Sequence, residues 1–117
     1  MSVLELLEWQ WTGYSTYHRS RANLLVHILV VPLFLAGNVG LIIGLFQRSW
    51  VLSLASTFTM LASVALQGFG HRQEHVPPEP FSGVGNAVSR IFFEQWITFP
   101  RFVVSGGWLR ALRQRVS

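Results

Sequence analysis

The sequence predicts an all-α membrane protein, built on a transmembrane helical hairpin with flanking amphipathic, interfacial helices. Of its 117 residues, 50% are hydrophobic and only 12% are charged, and the mean hydropathy is +0.39. Two long stretches without charge, 24–46 and 51–69, carry much of this apolar character. A chain with so few charges has little with which to cover a soluble core. We therefore expect one membrane-embedded domain over residues 1–117, with its apolar stretches facing lipid or a large partner.

The first element is predicted to be an interfacial helix over residues 2–17. Its start carries Ser2 and, three residues later, Glu5, which is the spacing of a capping box. Apolar side chains then recur at steps of three and four residues, as on one face of a helix. This expected apolar face consists of Leu4, Leu7, Trp11 and Tyr14.

Each of the two uncharged stretches is long enough, at about 1.5 Å per residue, to cross the ~30 Å hydrocarbon core of a bilayer. A short polar turn around Arg48 separates them. Such a turn makes the two spans antiparallel, so the start of the first and the end of the second lie at the same membrane face. Pro32 can kink the first span near that face.

Small residues in the first span predict a close helix contact. Gly37, Gly40 and Gly44 include a Gly-xxx-Gly spacing, which lets another helix approach closely. We expect them to pack against the second span, and the same face is a candidate for homo-oligomer formation. Asn38, in the middle of this span, is expected to make a hydrogen bond to another helix.

The remaining third of the chain contains both helix-breaking residues and apolar residues. Prolines and glycines over residues 76–85 predict a loop. Apolar spacing returns over 86–104, interrupted by Glu94, Pro100 and Arg101, which predicts a helix lying in or dipping into the interface. Residues 108–117 form a basic tail.

All nine basic residues are arginines, and the net charge is +4 with a pI near 11.2. They stand singly beside apolar stretches, as membrane anchors do, so we expect no nucleic-acid partner. Most lie at one end of the hairpin, with Arg48 alone at the other. The positive-inside rule then predicts that both termini are cytoplasmic. Arginine without lysine is typical of a GC-rich bacterial genome, which predicts the bacterial inner membrane.

The four histidines are candidate metal ligands, because all of them lie at the same end of the predicted spans: His18, His27, His71 and His75. Ionisable groups are costly at a membrane, so such a cluster indicates a functional site. No cysteine is present, so a metal would take nitrogen and oxygen ligands, a set that suits Fe, Zn, Ni or Cu.

Helical spacing constrains which of these residues can meet. His71 can share a helix face with Glu74 and His75. His18 and His27 would lie on opposite faces of one continuous helix. If both bind one metal, the chain must bend between them, and residues 20–23 are the expected place.

Two groups of residues resemble the two signatures of the 2-hydroxy-fatty-acid dioxygenase family. The first comprises Tyr17, His18, Asn23, His27 and Pro32, and the second comprises Gln67, Gly70, His71 and Glu74. Members of this family are small membrane proteins, and a yeast member of the endoplasmic reticulum removes one carbon from 2-hydroxy fatty acids. The resemblance covers roughly residues 9–108. This chain is shorter than the yeast-type member, and His75 is outside the family pattern.

The resemblance implies an Fe(II) enzyme whose iron is held by His18, His27 and His71, acting on a 2-hydroxy fatty acid or similar lipid with O2. In this interpretation Glu74 orients a ligand imidazole or is a fourth ligand. Hydrogen-bonding and substrate-binding roles are expected of the remaining polar candidates, which are Asn23, Tyr17, Gln67, Arg72 and Arg19.

Two other classes of function fit the same residues. In a non-enzymatic membrane adaptor, the histidines would only cap helices and the Gly-xxx-Gly face would drive assembly. In a zinc-dependent lipid hydrolase, the same ligands would activate water. Stoichiometric iron distinguishes the enzyme from the adaptor, and a requirement for oxygen distinguishes it from the hydrolase.

Overall fold

The structure, a computed structural model, describes residues 1–114 and is helical along most of this length. The all-α class is thereby confirmed for the described part of the chain. Its elements are α1 (Val3–Tyr17), α2 (Arg21–Phe46), α3 (Trp50–His71), α4 (Val84–Phe93), a π-helical segment (Glu94–Thr98), α5 (Phe99–Val104) and α6 (Gly107–Arg113).

Helix α1 begins as predicted and buries only part of the expected face. Ser2 Oγ accepts from the Glu5 backbone N–H at 3.2 Å, and Glu5 Oε1 accepts from the Ser2 N–H at 3.0 Å, which completes the capping box. The expected apolar face is confirmed at Tyr14, which is buried, and is wrong at Leu4, which is 78% exposed. Leu7 and Trp11 are half-buried, and the other buried residues of the helix are Leu6 and Gln10. Polar partners for Gln10 and Tyr14 on the later helices decide this orientation.

Helices α2 and α3 form the predicted antiparallel hairpin. They are 26 and 22 residues long, contain both predicted spans, and are long and apolar enough to cross a membrane. A Cβ added at Gly44 would come within 2.9 Å of the Ser53 backbone nitrogen, so glycine is needed for this approach. Nearer the other end, Ser63 Oγ donates to the Val30 carbonyl at 2.6 Å. The glycine face therefore contacts the second helix of the same chain.

The rest of the chain covers the histidine end of this hairpin. No regular helix forms between His71 and Val84, where the loop was predicted. The predicted 86–104 helix is present as α4, the π-helical segment and α5 in direct succession. Trp96, in the π-helical segment, donates to Asn38 Oδ1 at 3.4 Å, which confirms the expected interhelical hydrogen bond.

Helix α6 occupies the first half of the predicted basic tail. Trp108 Nε1 donates to the Leu24 carbonyl at 2.9 Å, and Arg21 Nε donates to the Leu112 carbonyl at 3.0 Å. Part of that tail, including Arg115, lies outside the described residues. Beside these contacts is the hydrophobic core, made of Tyr14, Leu24, Val31, Phe99, Phe102 and Ala111.

Candidate metal centre

A break between α1 and α2 brings the first two histidines together. Helix α1 ends at Tyr17, and Ser20 caps α2 by accepting from the Asn23 backbone N–H at 3.5 Å. The chain thus bends at residues 18–20, just before the place expected from the sequence. The turn now carries His18 and helix α2 carries His27, so the two rings can approach each other. Both side chains are buried, His18 with 4% of its surface exposed and His27 with 0%.

The end of α3 delivers the third histidine, as the hairpin predicted. The ring centroids are 4.9 Å apart for His18 and His27, 4.8 Å for His18 and His71, and 5.0 Å for His27 and His71. Each pair of rings is close to perpendicular, with interplanar angles of 90°, 80° and 89°. Edges of three imidazoles thus converge on one point.

Glu94, the first residue of the π-helical segment, is the fourth member of the group. One ligand atom from each of His18, His27, His71 and Glu94 lies within 4.8 Å of all the others. Glu94 Oε2 is 3.3 Å from His18 Nε2 and 3.7 Å from His27 Nε2. Sequence reasoning missed this residue and treated it as an interruption of an apolar helix. The available signal was the cost of a lone carboxylate in such a stretch, which indicates a functional role.

Backbone carbonyls fix the orientation of two of the imidazoles. His18 Nδ1 lies 2.8 Å from the Tyr14 carbonyl, and His27 Nδ1 lies 3.0 Å from the Asn23 carbonyl. A carbonyl can only accept, so each Nδ1 carries a proton and each Nε2 can offer a lone pair. Metal-binding histidines commonly show this arrangement.

The inner nitrogens of the group lack ordinary hydrogen-bond partners. His18 Nε2, His27 Nε2 and His71 Nδ1 are all buried without a hydrogen bond. Buried polar atoms are nearly always paired, so such atoms in a cluster call for an explanation. Three imidazole nitrogens beside a carboxylate form a set of donors that a cation would satisfy. The residues therefore fit a metal ion with nitrogen and oxygen ligands.

Tyr14 holds the carboxylate of this group. Its hydroxyl donates to Glu94 Oε2 at 2.8 Å, and its ring stacks on His18 with centroids 3.7 Å apart. Burial raises the pKa of Glu94, but His18 and His27 in their protonated forms and the Tyr14 hydrogen bond outweigh it and hold the pKa at about 2 in the absence of a metal. Burial, followed by the charge of Glu94, raises the pKa of Tyr14 well above its ordinary value. Glu94 is thus an anion beside a neutral phenol.

A cavity of about 580 Å³ opens onto three members of the group, His18, His71 and Glu94. Polar residues that line it include Tyr17, Gln67, Arg72, Glu74, Arg90 and Gln95. Large apolar walls come from Trp9, Val64, Pro77, Pro78, Phe81 and Ile91. A mainly apolar cavity with a few convergent polar groups is typical of a small-molecule site.

Glu74 and Asn23 position the turn that carries His18. The Glu74 carboxylate accepts from the backbone N–H groups of Arg19 and Ser20 at 3.0 and 3.1 Å, and from Asn23 Nδ2 at 2.7 Å. It thereby fastens the end of α3 to the start of α2. The fourth place beside the histidines, considered for Glu74 or His75, is held by Glu94. His75 is outside the group of converging ligand atoms.

The remaining predicted residues divide between two cavities. Tyr17, Gln67 and Arg72 line the cavity at the histidines. Gln67 exchanges two amide hydrogen bonds with Gln95, at 2.7 and 2.8 Å, and so joins α3 to the π-helical segment. Arg19 lines a second, smaller cavity instead.

Fold and site together define a helical protein with two membrane-length helices and a three-histidine, one-glutamate group that could hold a metal ion. Comparisons of the chain with protein-family models, with curated proteins and with solved structures find no match. Inference about its function therefore starts from the geometry of this group and from the two histidine signatures.

Proposed function

We propose that this chain is an integral membrane, iron-dependent dioxygenase that acts on a 2-hydroxy fatty acid or a similar lipid. The observation that carries the proposal is the position of the histidine and glutamate group at the wall of a largely apolar cavity. Such a site combines ligands for a metal with space for an acyl chain. The resemblance of the two histidine signatures supplies the reaction type.

Exposure of the long helices supports a membrane location. Only 28% of the most apolar window of α2 is buried within the chain, and 22% of that of α3. Large side chains such as Leu29, Phe58 and Leu61 are 69%, 73% and 67% exposed. Contiguous apolar surfaces of this kind mark contact with lipid or a large partner. The arginine asymmetry leads us to propose that the histidine end is cytoplasmic, in a bacterial inner membrane.

Iron would be held by His18, His27, His71 and Glu94. Three imidazoles and a carboxylate suit Fe(II), and the negative charge of Glu94 offsets part of the metal charge. When bound, iron supplies the binding and activation of O2 that an organic side chain cannot provide. Tyr14 keeps Glu94 in place, and the Tyr14 and Asn23 carbonyls keep the histidine nitrogens directed inward.

The overall reaction is balanced without a further reductant. A 2-hydroxy acid, R-CH(OH)-COOH, and O2 give the shorter acid R-COOH, CO2 and water. Arg72 lines the cavity next to His71, so we assign it to the substrate carboxylate. Trp9, Phe81 and Ile91 would contact the acyl chain and exclude water from it.

Anaerobic purification followed by elemental analysis tests the proposal. We expect iron at about one equivalent per chain, with O2 consumption on 2-hydroxy fatty acids and none on the matching acids without the hydroxyl. One CO2 should be released for each O2 consumed. Stoichiometric zinc with oxygen-independent lipid cleavage would instead identify a hydrolase. A protein that binds no metal stoichiometrically would be the adaptor.

A further inference from the structure

A second cavity, of about 350 Å³, lies at the histidine end of the molecule and shares Tyr14 with the first. Its inner surface is buried and largely aromatic, formed by Tyr14 and Phe102 with Ala111. Its lining also includes two arginines, Arg19 and Arg110, and the polar residues Ser15, Ser105 and Gln114. The site is therefore amphipathic: buried aromatic residues form its floor, and two arginines supply positive charge.

The two arginines come from separate elements. Arg19 is in the turn between α1 and α2, and Arg110 is in α6. Helix α6 is held against α2 by the hydrogen bond from Trp108 to the Leu24 carbonyl, so the tertiary structure brings both charges to one cavity. Their convergence is a property of the fold, since the residues are far apart in the sequence.

Neither charge is neutralised within residues 1–114. No carboxylate lines this cavity in the described chain. The ion pairs formed there join His18 and His27 to Glu94, and none involves Arg19 or Arg110. Arg101 adds a third cation close by, because its guanidinium lies 4.0 Å from the centroid of Trp11, which also lines the cavity. Cations gathered at a concave site attract an anion.

The position of Arg110 also indicates that it lies at the site. Gly106 has a positive φ of 85°, and a Cβ added there would come 3.3 Å from Arg110 Nη1. The guanidinium thus lies over this turn instead of extending away from the protein. The planar guanidinium fork is itself pre-organised, so less freedom is lost for each hydrogen bond that it donates to an oxyanion.

We propose that the second cavity binds a phosphate group, supplied either by the headgroup of an anionic lipid or by free phosphate. Arginine donates several parallel hydrogen bonds to phosphate oxygens, and two arginines can hold one such group. The aromatic floor favours a ligand with an apolar portion next to its phosphate. This inference needs no bound metal, because neither arginine belongs to the histidine group or lines the first cavity, although the two cavities share Tyr14.

Binding measurements on the purified full chain in a neutral detergent test the site. Three probes are compared: dihexanoyl phosphatidic acid, inorganic phosphate, and dihexanoyl phosphatidylcholine, whose headgroup has no net charge. We expect saturable binding of the phosphatidic acid at one per chain, and much weaker binding of the phosphatidylcholine. Tighter binding of the lipid than of inorganic phosphate would identify a lipid headgroup as the source. Equal affinity for both would identify free phosphate.

Two charge variants and a control make the location testable. Arg110→Gln and Arg19→Gln should each weaken phosphatidic acid binding by roughly 10-fold or more, because each removes a charge-assisted contact. Arg48→Gln, which removes the same charge at the other end of the hairpin, should leave it unchanged. Arg110→Lys should bind with intermediate affinity, and it serves in place of Arg110→Gln if that variant does not fold. Absence of saturable binding, or an equal loss in Arg48→Gln, would overturn the proposal.

Discussion

The two ends of the α2–α3 hairpin are held together by different physical means. At the turn end, Gly40 and Gly44 approach Ser56 and Ser53, so the contact there depends on the fit of small residues. At the other end, buried histidines and amides face each other and are covered by further helices. The first contact depends on volume and is indifferent to charge. The second depends on whether each polar atom has a partner.

Polar contacts at the histidine end also shape the covering helices. Gln10, on α1, donates to the Arg90 carbonyl at 2.8 Å and accepts from Thr98 Oγ1 at 2.7 Å. Its amide therefore binds on both sides of the π-helical segment that contains Glu94. π-Helical turns are rare in proteins as a whole, and those that occur are often found at functional sites. Here the turn is held from outside by a neighbouring helix, and it directs a carboxylate at three histidines.

Removal of His27 should have the largest effect. His27→Ala deletes a ligand that is 0% exposed and fixed by the Asn23 carbonyl, so we expect loss of stoichiometric metal and of O2 consumption. Elemental analysis and oxygen-electrode assays measure both. His75→Ala is the matched control and should retain metal. If His75→Ala loses the metal while His18→Ala retains it, the metal binds elsewhere.

Glu94→Gln should have the next largest effect on metal binding, because it keeps the size of the side chain and removes its charge. We expect metal affinity to fall by about 100-fold or more. Loss of a residue that only orients a metal ligand costs up to about 100-fold, and loss of a ligand charge should cost at least as much. Competition with a chelator of known affinity measures the change. A variant that binds metal as tightly as the wild type would exclude Glu94 as a ligand.

Acid titration of the metal-free protein tests the same carboxylate. Its pKa, at about 2, is below its ordinary 4.5, so its stabilising contribution is complete above pH 4.5 and is lost as the pH falls toward 2. The thermal stability of wild type should therefore approach that of Glu94→Gln across this pH window. A constant difference between the two proteins would contradict the low pKa.

Glu74→Ala should have a smaller effect, because Glu74 acts through the turn it fastens. Loss of its contacts to Arg19, Ser20 and Asn23 loosens the segment that carries His18. We expect metal affinity or activity to fall by about 10- to 100-fold without complete loss. Chelator competition and steady-state assays on the same preparation separate the two. Complete loss of metal would indicate that Glu74 is itself a ligand.

Gly44→Ala should disturb the turn end alone. The added methyl group would meet the backbone of Ser53 at 2.9 Å, so we expect a loss of about 1 to 3 kcal/mol of stability with metal content unchanged. Gly68→Ala is the matched control, since it meets no atom within 4 Å and removes a glycine from a helix. Thermal unfolding in detergent compares them. Equal stability of the two variants would mean that the glycine contact is not tight.

Several features followed from local sequence alone, because local physics determines them. The capping box at Ser2 depends on residues three apart, and the hairpin depends on the length of two apolar stretches and the shortness of the turn between them. That turn also predicted that His71 would return to the end of the hairpin where His18 and His27 lie. Since nine residues separate those two histidines, the need for a bend between them was predictable as well.

Tertiary structure alone decided the burial of Gln10 and the role of Glu94. Helical periodicity placed Tyr14 on the apolar face of α1, but the polar Gln10 is buried as well, because its amide binds Thr98 in the π-helical segment and the Arg90 carbonyl. A π-helical turn adds a residue to the helical repeat, so a 3.6-residue period cannot predict which side chains after it face inward. The carboxylate meets the histidines only when this turn packs against α1 and the hairpin, a contact between segments far apart in the sequence.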